Sequence, residues 1–78
     1  MYFAFDLTDT KKVDEITEQN VDCIKLYGFN SIDDVEKFVD NNYSYIAVYR
    51  HNDKFPTPVD FSSKYDAQLE IIKCLQNN

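Results

Sequence analysis

The sequence predicts one α/β domain over residues 1–78, an α+β two-layer sandwich in which helices lie mainly on one face of a small sheet. Three observations predict this class. A chain of 78 residues is long enough for one small core. Several segments alternate apolar and polar residues, as half-buried strands do. Two other segments combine a capping residue with the apolar spacing of amphipathic helices. The predicted order is β-(α)-β-α-β-(β)-α, with three or four strands and two or three helices.

The first strand is predicted at residues 2–8, YFAFDLT, because its apolar residues alternate. The side chains on one of its faces are large and apolar: Phe3, Phe5 and Leu7. Residues 8–20 follow, and they offer only Val13 and Ile16 as regularly spaced apolar positions. So weak a stripe predicts a short helix or an irregular connection.

A second strand and the best-defined helix come next. Residues 21–29 alternate, with Ile24 and Leu26 on the same side of the predicted strand. In the segment NSIDDVEKFVDNN that follows, Ser31 and Asp34 have the spacing of a capping box, with Asp in place of Glu. The apolar side chains of this helix form one stripe: Ile32, Val35, Phe38 and Val39.

The last part of the chain predicts a third strand, a loop and a C-terminal helix. Residues 43–51, YSYIAVYRH, alternate strictly. A short fourth edge strand is predicted at residues 59–62, where two preceding prolines limit its pairing. Residues 62–78 form the last helix, which begins with the capping pair Ser63 and Asp66. Its apolar stripe is predicted as Tyr65, Leu69 and Ile72, flanked by Ile71 and Leu75.

The two faces of the predicted sheet differ in chemistry. Strands separated by helices favour crossover connections and therefore a largely parallel sheet. One face is phenyl or aliphatic and is predicted to pack under both capped helices: Phe3, Phe5, Leu7, Ile24, Leu26, Ile46 and Val48. The other face is rich in tyrosine: Tyr2, Tyr27, Tyr43, Tyr45 and Tyr49. The strands of a sheet that is buried on both faces are continuous runs of aliphatic residues. The strands predicted here alternate instead, so the tyrosine face is predicted to be open to solvent. It is either a contact surface or simply the wet side of the sheet.

Net charge restricts the partners that the chain can bind. Asp and Glu outnumber Lys and Arg by 14 to 8, which gives a net charge of −6. A surface of this sign repels phosphate backbones and anionic lipids, so we expect no direct binding to nucleic acid or membranes. A protein with a basic surface is the expected partner, although solubility alone also accounts for such a charge. We predict a cytoplasmic protein. The sequence shows no apolar run typical of a leader peptide or a membrane span, and its two cysteines are expected to be reduced thiols.

The sequence offers no recognised catalytic or metal-binding motif. His51 is the single histidine, and it is expected to be an exposed turn residue although Asp and Ser residues follow it closely. Cys23 and Cys74 lack the CxxC or Cys/His spacing of redox and zinc sites. We therefore predict a protein that is not an enzyme, with no catalytic residue, no cofactor and no metal.

The predicted order of elements is shared with thioredoxin-like folds, so a degenerate thioredoxin-like thiol protein using Cys23 is one alternative. The residues do not support that family. The segment TDTKK stands after the first strand, where an active-site dithiol would be needed. Pro56 and Pro58 follow the third strand rather than precede it. The similarity is therefore one of order only, and fold does not imply function.

Size and charge together favour a small acidic interaction protein, an inhibitor or adaptor that binds a basic site on another protein. Phage and plasmid inhibitors of host nucleases or defence systems have this character, and their carboxylates can mimic nucleic-acid phosphates. The predicted partner-binding residues are Asp33, Glu36, Asp40, Tyr43, Tyr45 and Tyr49. A second acidic cluster comprises Asp14, Glu15 and Glu18. The other alternative is a structural module that forms a homodimer through its tyrosine face.

Overall fold

The structure, a computed structural model, describes residues 1–76. Its strands are β1 (Tyr2–Asp6), β2 (Leu26–Phe29) and β3 (Tyr45–Ala47). Its α-helices are α1 (Thr10–Val13), α2 (Ile32–Asn41) and α3 (Lys64–Gln76), and 3-10 turns lie at Leu7–Asp9 and Val21–Cys23. The predicted α+β class, with three strands and three helices in alternation, is confirmed. The predicted end of the last helix, at residues 77–78, lies outside the described residues.

β1, the first strand in the chain, is the central strand of the sheet, whose order is β2-β1-β3. Both neighbours run antiparallel to β1, and Phe5 lies opposite Leu26 on one side and Ile46 on the other. The predicted largely parallel sheet is therefore wrong. β2 and β3 do run parallel to each other and are connected through α2, but β1 is inserted between them, as in a split βαβ unit.

The larger core lies on the face of the sheet that carries Phe3 and Phe5, as predicted. Helices α1 and α3 and the turn at Val21–Cys23 contribute to this core, so most of the helical residues lie on this face. Its buried members are Phe3, Phe5, Val13, Ile16, Val21, Ile24, Leu26, Val48, Phe61, Ala67, Ile71 and Ile72. Leu7 was expected to join them, but it belongs to a 3-10 turn and is exposed.

Helix α2 packs on the opposite face of the sheet, so the prediction that both capped helices share one face is wrong for this helix. Its Val35 is fully buried against Ala4 and Ala47, which lie side by side on adjacent strands. Two neighbouring alanines leave a shallow seat where a helix can approach the sheet closely. The surrounding partly buried side chains are Tyr2, Phe29, Ile32, Phe38, Val39 and Tyr49. The tyrosine face is therefore covered by a helix and is not an open surface.

Local capping signals position the two longer helices. The Asp34 amide donates to Ser31 Oγ at 3.2 Å, and the Asp66 amide donates to Ser63 Oγ at 3.2 Å, so both predicted caps are confirmed. At the end of α2, the Asn42 side-chain amide donates to the Phe38 carbonyl at 2.7 Å. This contact satisfies one of the carbonyls that a helix C-terminus leaves without a partner.

The third strand is shorter than the predicted residues 43–51, and the expected fourth strand is reduced to two backbone contacts. Val59 N–H donates to the Val48 carbonyl at 3.3 Å, and Phe61 N–H donates to the Met1 carbonyl at 2.9 Å. The N-terminal ammonium group also contacts the Asp60 carboxylate. Residues 59–61 therefore lie along the edge of the sheet, next to the residues that follow β3.

Helix α3 is turned by about a quarter of a rotation from its predicted orientation. Its buried residues are Ala67, Gln68, Ile71 and Ile72, whereas Tyr65, placed in the predicted stripe, is 44% exposed. Gln68 is only 2% exposed, and its side-chain amide donates to the Ile24 carbonyl at 2.7 Å. A polar residue that is satisfied in this way can face the core, which apolar periodicity does not reveal.

Replacing Gln68 with methionine is expected to lower the free energy of unfolding by about 1–3 kcal/mol, because the Ile24 carbonyl would stay buried without a donor while the side-chain volume is kept. Urea denaturation followed by circular dichroism measures the loss. The matched control is Gln19→Met at an exposed position, which should change stability by less than about 0.5 kcal/mol. Equal stabilities of the two variants would contradict a structural role for this hydrogen bond.

Candidate functional site

Three carboxylates form a stripe along one flank of helix α2, and we call it the acidic stripe: Asp33, Glu36 and Asp40. All three are exposed. Their spacing of three and four residues aligns them on the helix, on the side that faces away from the buried Val35. Among residues 1–76, none of the three carboxylates forms an ion pair. They are therefore available to a positively charged group of another molecule.

The acidic stripe runs beside β3 and the residues that follow it, among them Tyr49. The pKa of Tyr49 is raised, first by burial of its hydroxyl group and then by the negative charges of Glu36 and Asp40. These charges act on Tyr49 because α2 lies across this side of the sheet. The structure therefore brings three of the predicted partner-binding residues together: Glu36, Asp40 and Tyr49.

The other two predicted tyrosines lie apart from this group. Tyr43 is 93% exposed in the turn between α2 and β3. Tyr45 is half-buried and packs edge-on against Phe38, with a ring-centroid distance of 4.9 Å, and against Tyr27 at 5.3 Å. The expected flat patch of tyrosines is therefore wrong, and a dimer through that sheet face loses its surface.

The hydroxyl groups of Tyr27 and Tyr45 influence each other beneath α2. The neighbouring Tyr45 hydroxyl, and then the ammonium group of Lys25, lower the pKa of Tyr27. The nearby Tyr27 hydroxyl raises the pKa of Tyr45, and burial adds to the effect. Lys25 Nζ lies 5.5 Å from the centre of the Tyr27 ring, a cation–π distance. These contacts order the aromatic cluster and give it a structural role.

An apolar groove lies between β3 and the C-terminal half of α3, on the opposite side of β3 from the acidic stripe. Its volume is about 170 Å³. Its floor and walls are formed by Phe5, Ile46, Val48, Ile71, Cys74 and Leu75, and Ala47 and Tyr49 border it. This groove is not among the predicted sites, because it depends on the rotation of α3 about its axis. Cys74 and Leu75 are adjacent on the last helix, but their position in the sequence does not show which strand they face.

Glu70 stands one helical turn before Cys74 on α3, close to the groove. Burial and then the nearby Glu70 raise the pKa of the Cys74 thiol.

The second acidic cluster lies on the other face of the molecule. Asp14, Glu15 and Glu18 are exposed around Val13 and Ile16, which belong to the Phe3 and Phe5 core, whereas α2 covers the opposite face of the sheet. The two acidic groups therefore cannot contact the same small surface of a partner.

The side chains that could act in catalysis or metal binding are dispersed over the described part of the chain. His51 is exposed, and its backbone N–H donates to Glu70 Oε1 at 3.2 Å. Cys23 is exposed in a 3-10 turn rather than on a strand, and both cysteines are free thiols. Within residues 1–76, no three His, Cys, Asp or Glu side chains converge as ligands for a metal ion.

Two further findings concern the chain as a whole. Helix α3 is the longest helix with 13 residues, and no helix in residues 1–76 combines the length and apolar character that a membrane span requires. Comparisons with protein-family models, with curated proteins and with solved structures find no match to this chain.

Proposed function

We propose that the protein is a small acidic, non-enzymatic interaction protein, an inhibitor or adaptor that occupies a basic site on another protein. The acidic stripe of α2 carries this proposal, because its three carboxylates are exposed and have no ion-pair partner in residues 1–76. The net charge of −6 supports it, since a field of that sign steers a basic surface towards the protein and raises the association rate.

The proposed target is a host nuclease or defence protein, and the proposed origin is a phage or plasmid. A nuclease recognises phosphates with a basic groove, and carboxylates can take the place of phosphates there. Along α2, the stripe residues are separated by rises of about 4.5 Å and about 6 Å. Phosphates of one DNA strand follow at about 3.4 Å along the helix axis, so the two charge spacings are of the same order. Tyr49 adds a rigid, partly desolvated contact beside the charges.

The proposal is tested by affinity capture with two variants of equal charge. The stripe variant carries Asp33→Asn, Glu36→Gln and Asp40→Asn; the matched variant carries Asp14→Asn, Glu15→Gln and Glu18→Gln. Each replaces three exposed carboxylates by amides of the same shape. Circular dichroism first confirms that each bait is folded. The wild type and each variant are then immobilised, and the proteins that they retain from a cell lysate are identified by mass spectrometry.

The expected result is a basic protein that the wild type and the matched variant retain and the stripe variant loses. About 0.5 M NaCl should release it, because salt screens contacts between exposed charges. Binding of the purified partner should then weaken at least about tenfold for the stripe variant, which corresponds to about 1.4 kcal/mol. Equal losses in both variants would show that overall charge acts rather than this site, and unchanged binding of the stripe variant would refute the proposal.

A further inference from the structure

We propose that the free edge of β2 pairs antiparallel with β2 of a second copy of this chain, so that the two sheets join around a two-fold axis at Tyr27. This inference is independent of the proposed function. It concerns the edge of the sheet rather than the acidic stripe, and its occupant is a second copy rather than a basic partner.

The peptide groups of β2 point alternately towards β1 and towards the free edge. Val48 N–H donates to the Phe3 carbonyl at 2.8 Å, so the odd-numbered residues of β1 bond towards β3 and the even-numbered ones towards β2. Tyr27 lies opposite an even-numbered residue of β1 and therefore turns its peptide group to β1. Leu26 and Gly28, on either side of it, turn theirs outward. Within residues 1–76, no backbone group outside the sheet bonds to either residue.

This edge is accessible to a further strand. Val35, the buried contact of α2, rests on Ala4 and Ala47, which belong to β1 and β3, so α2 is not centred over β2. Residues 59–61 lie along the opposite edge of the sheet. A strand edge with free peptide groups is a template for pairing with another chain.

A second copy of β2 fits this edge in register. About a two-fold axis at Tyr27, Leu26 of each copy lies opposite Gly28 of the other, and these are the residues whose peptide groups point outward. Met1 lies over Gly28 on the core face, with its Sδ atom 2.7 Å from the point where a β-carbon on Gly28 would stand. The incoming Leu26 would therefore contact Met1, which is otherwise 51% exposed.

The two ends of β2 carry opposite charges on the α2 face. Lys25 lies on this face, since its Nζ is 5.5 Å from the centre of the Tyr27 ring, and it has no ion-pair partner in the described part of the chain. Asp34 is exposed one helical turn before Phe38. Because the Phe38 ring contacts Tyr27 and Phe29, Asp34 lies on the side of α2 that is next to β2.

Charge complementarity therefore selects a second copy in the antiparallel direction. This pairing sets Lys25 of one copy opposite Phe29 of the other, close to the first turn of α2, which begins at Ile32. Each Lys25 then approaches Asp34 of the other copy. A lysine beside a strand edge normally discourages pairing, but here it meets a carboxylate, whereas a parallel in-register pair would set two lysines side by side. The two identical contacts close the assembly as a two-fold dimer, the commonest symmetry of small oligomers.

The test is the oligomeric state of the full chain, measured by sedimentation equilibrium over a range of concentrations after circular dichroism has shown that each variant is folded. We expect a reversible dimer for the wild type. Lys25→Glu and Asp34→Lys should each raise the dimer dissociation constant at least about tenfold, because each variant sets like charges against each other at both contacts. An equimolar mixture of the two variants should form dimers again, since each contact of the mixed dimer joins opposite charges.

Matched controls make the same changes of charge away from β2. Lys54→Glu and Asp53→Lys alter exposed positions in the loop that follows β3, and each should leave the dimer intact. Equal losses in these controls would show that net charge acts rather than the β2 edge, and would overturn the proposal.

Hydrogen exchange of individual amides, measured by NMR, locates the contact. The amides of Leu26 and Gly28 should become protected as the protein concentration rises, whereas those of Tyr27 and Phe29, which face β1, should exchange slowly at every concentration. A wild type that is monomeric at all concentrations, a mixture of the two variants that stays monomeric, or a dimer in which Leu26 and Gly28 exchange as fast as in the monomer would each contradict pairing through β2.

Discussion

Replacing Phe5 with alanine is expected to lower the free energy of unfolding by about 3–5 kcal/mol, the range for loss of a buried phenyl ring. Phe5 is 3% exposed on the central strand, opposite Leu26 and Ile46 on its two neighbours. A domain of this size has a total stability of roughly 4–12 kcal/mol. The variant should therefore be close to unfolded at room temperature or unfold at much lower urea concentration.

Urea denaturation followed by far-ultraviolet circular dichroism measures this effect. Tyr43→Ala is the control, since it also removes an aromatic ring but from a side chain that is 93% exposed. It should change stability by less than about 0.5 kcal/mol. A loss below about 1 kcal/mol for Phe5→Ala would mean that this side chain is not in the core.

The second large effect is expected for Phe38→Ala, which should cost about 2–4 kcal/mol. The Phe38 ring lies between α2 and the sheet, with ring-centroid distances of 4.9 Å to Tyr45, 5.1 Å to Phe29 and 5.7 Å to Tyr27. Its removal breaks three aromatic contacts and leaves a void under the helix. The effect should fall below that of Phe5 because Phe38 is only half-buried.

The neighbouring Lys37 provides the matched control for Phe38. It is exposed on the same helix, so Lys37→Ala keeps helix propensity high and removes no packing. The same urea titration compares the two variants. If Phe38→Ala were as stable as Lys37→Ala, helix α2 could not be seated on the aromatic face of the sheet, and the open tyrosine surface would have to be reconsidered.

Local signals in the sequence predicted the local structure well. Ser31 and Ser63 begin their helices as their capping patterns indicated, because a cap depends on residues only three positions apart. The alternation of β1 placed Phe3 and Phe5 on the core face, because side chains in a strand point to opposite faces in turn. These features require no knowledge of which segments meet in space.

The arrangement of the segments was not predictable from these signals. Nothing in the pattern of residues 2–8 shows that β1 would lie between β2 and β3, because register and neighbours are decided by long-range packing. The side of the sheet on which α2 packs depends on Ala4 and Ala47, and the more numerous tyrosines on the same face obscure this signal in the sequence. Gln68 did not belong to the predicted apolar stripe of α3, but its hydrogen bond to the Ile24 carbonyl allows it to be buried.

The candidate site was predictable in part, for the same reason. Helical spacing was sufficient to align Asp33, Glu36 and Asp40, and alternation placed Tyr49 on the face that α2 covers. Tyr43 is separated from Tyr45 because residues 43 and 44 form a turn and β3 begins only at Tyr45. The groove beside Cys74 results from the meeting of β3 with α3, which are distant in sequence, and no short pattern encodes it.

The central position of β1 affects how the chain folds as it is synthesised. β1 emerges first, but its hydrogen-bonding partners are residues 26–29 and 45–47, and the Met1 carbonyl accepts from Phe61. Until those segments have left the ribosome, the nascent chain exposes a strand with two phenylalanines and both edges unpaired, a state that attracts chaperones and favours aggregation. Cooperative folding must therefore wait until nearly the whole domain has been translated.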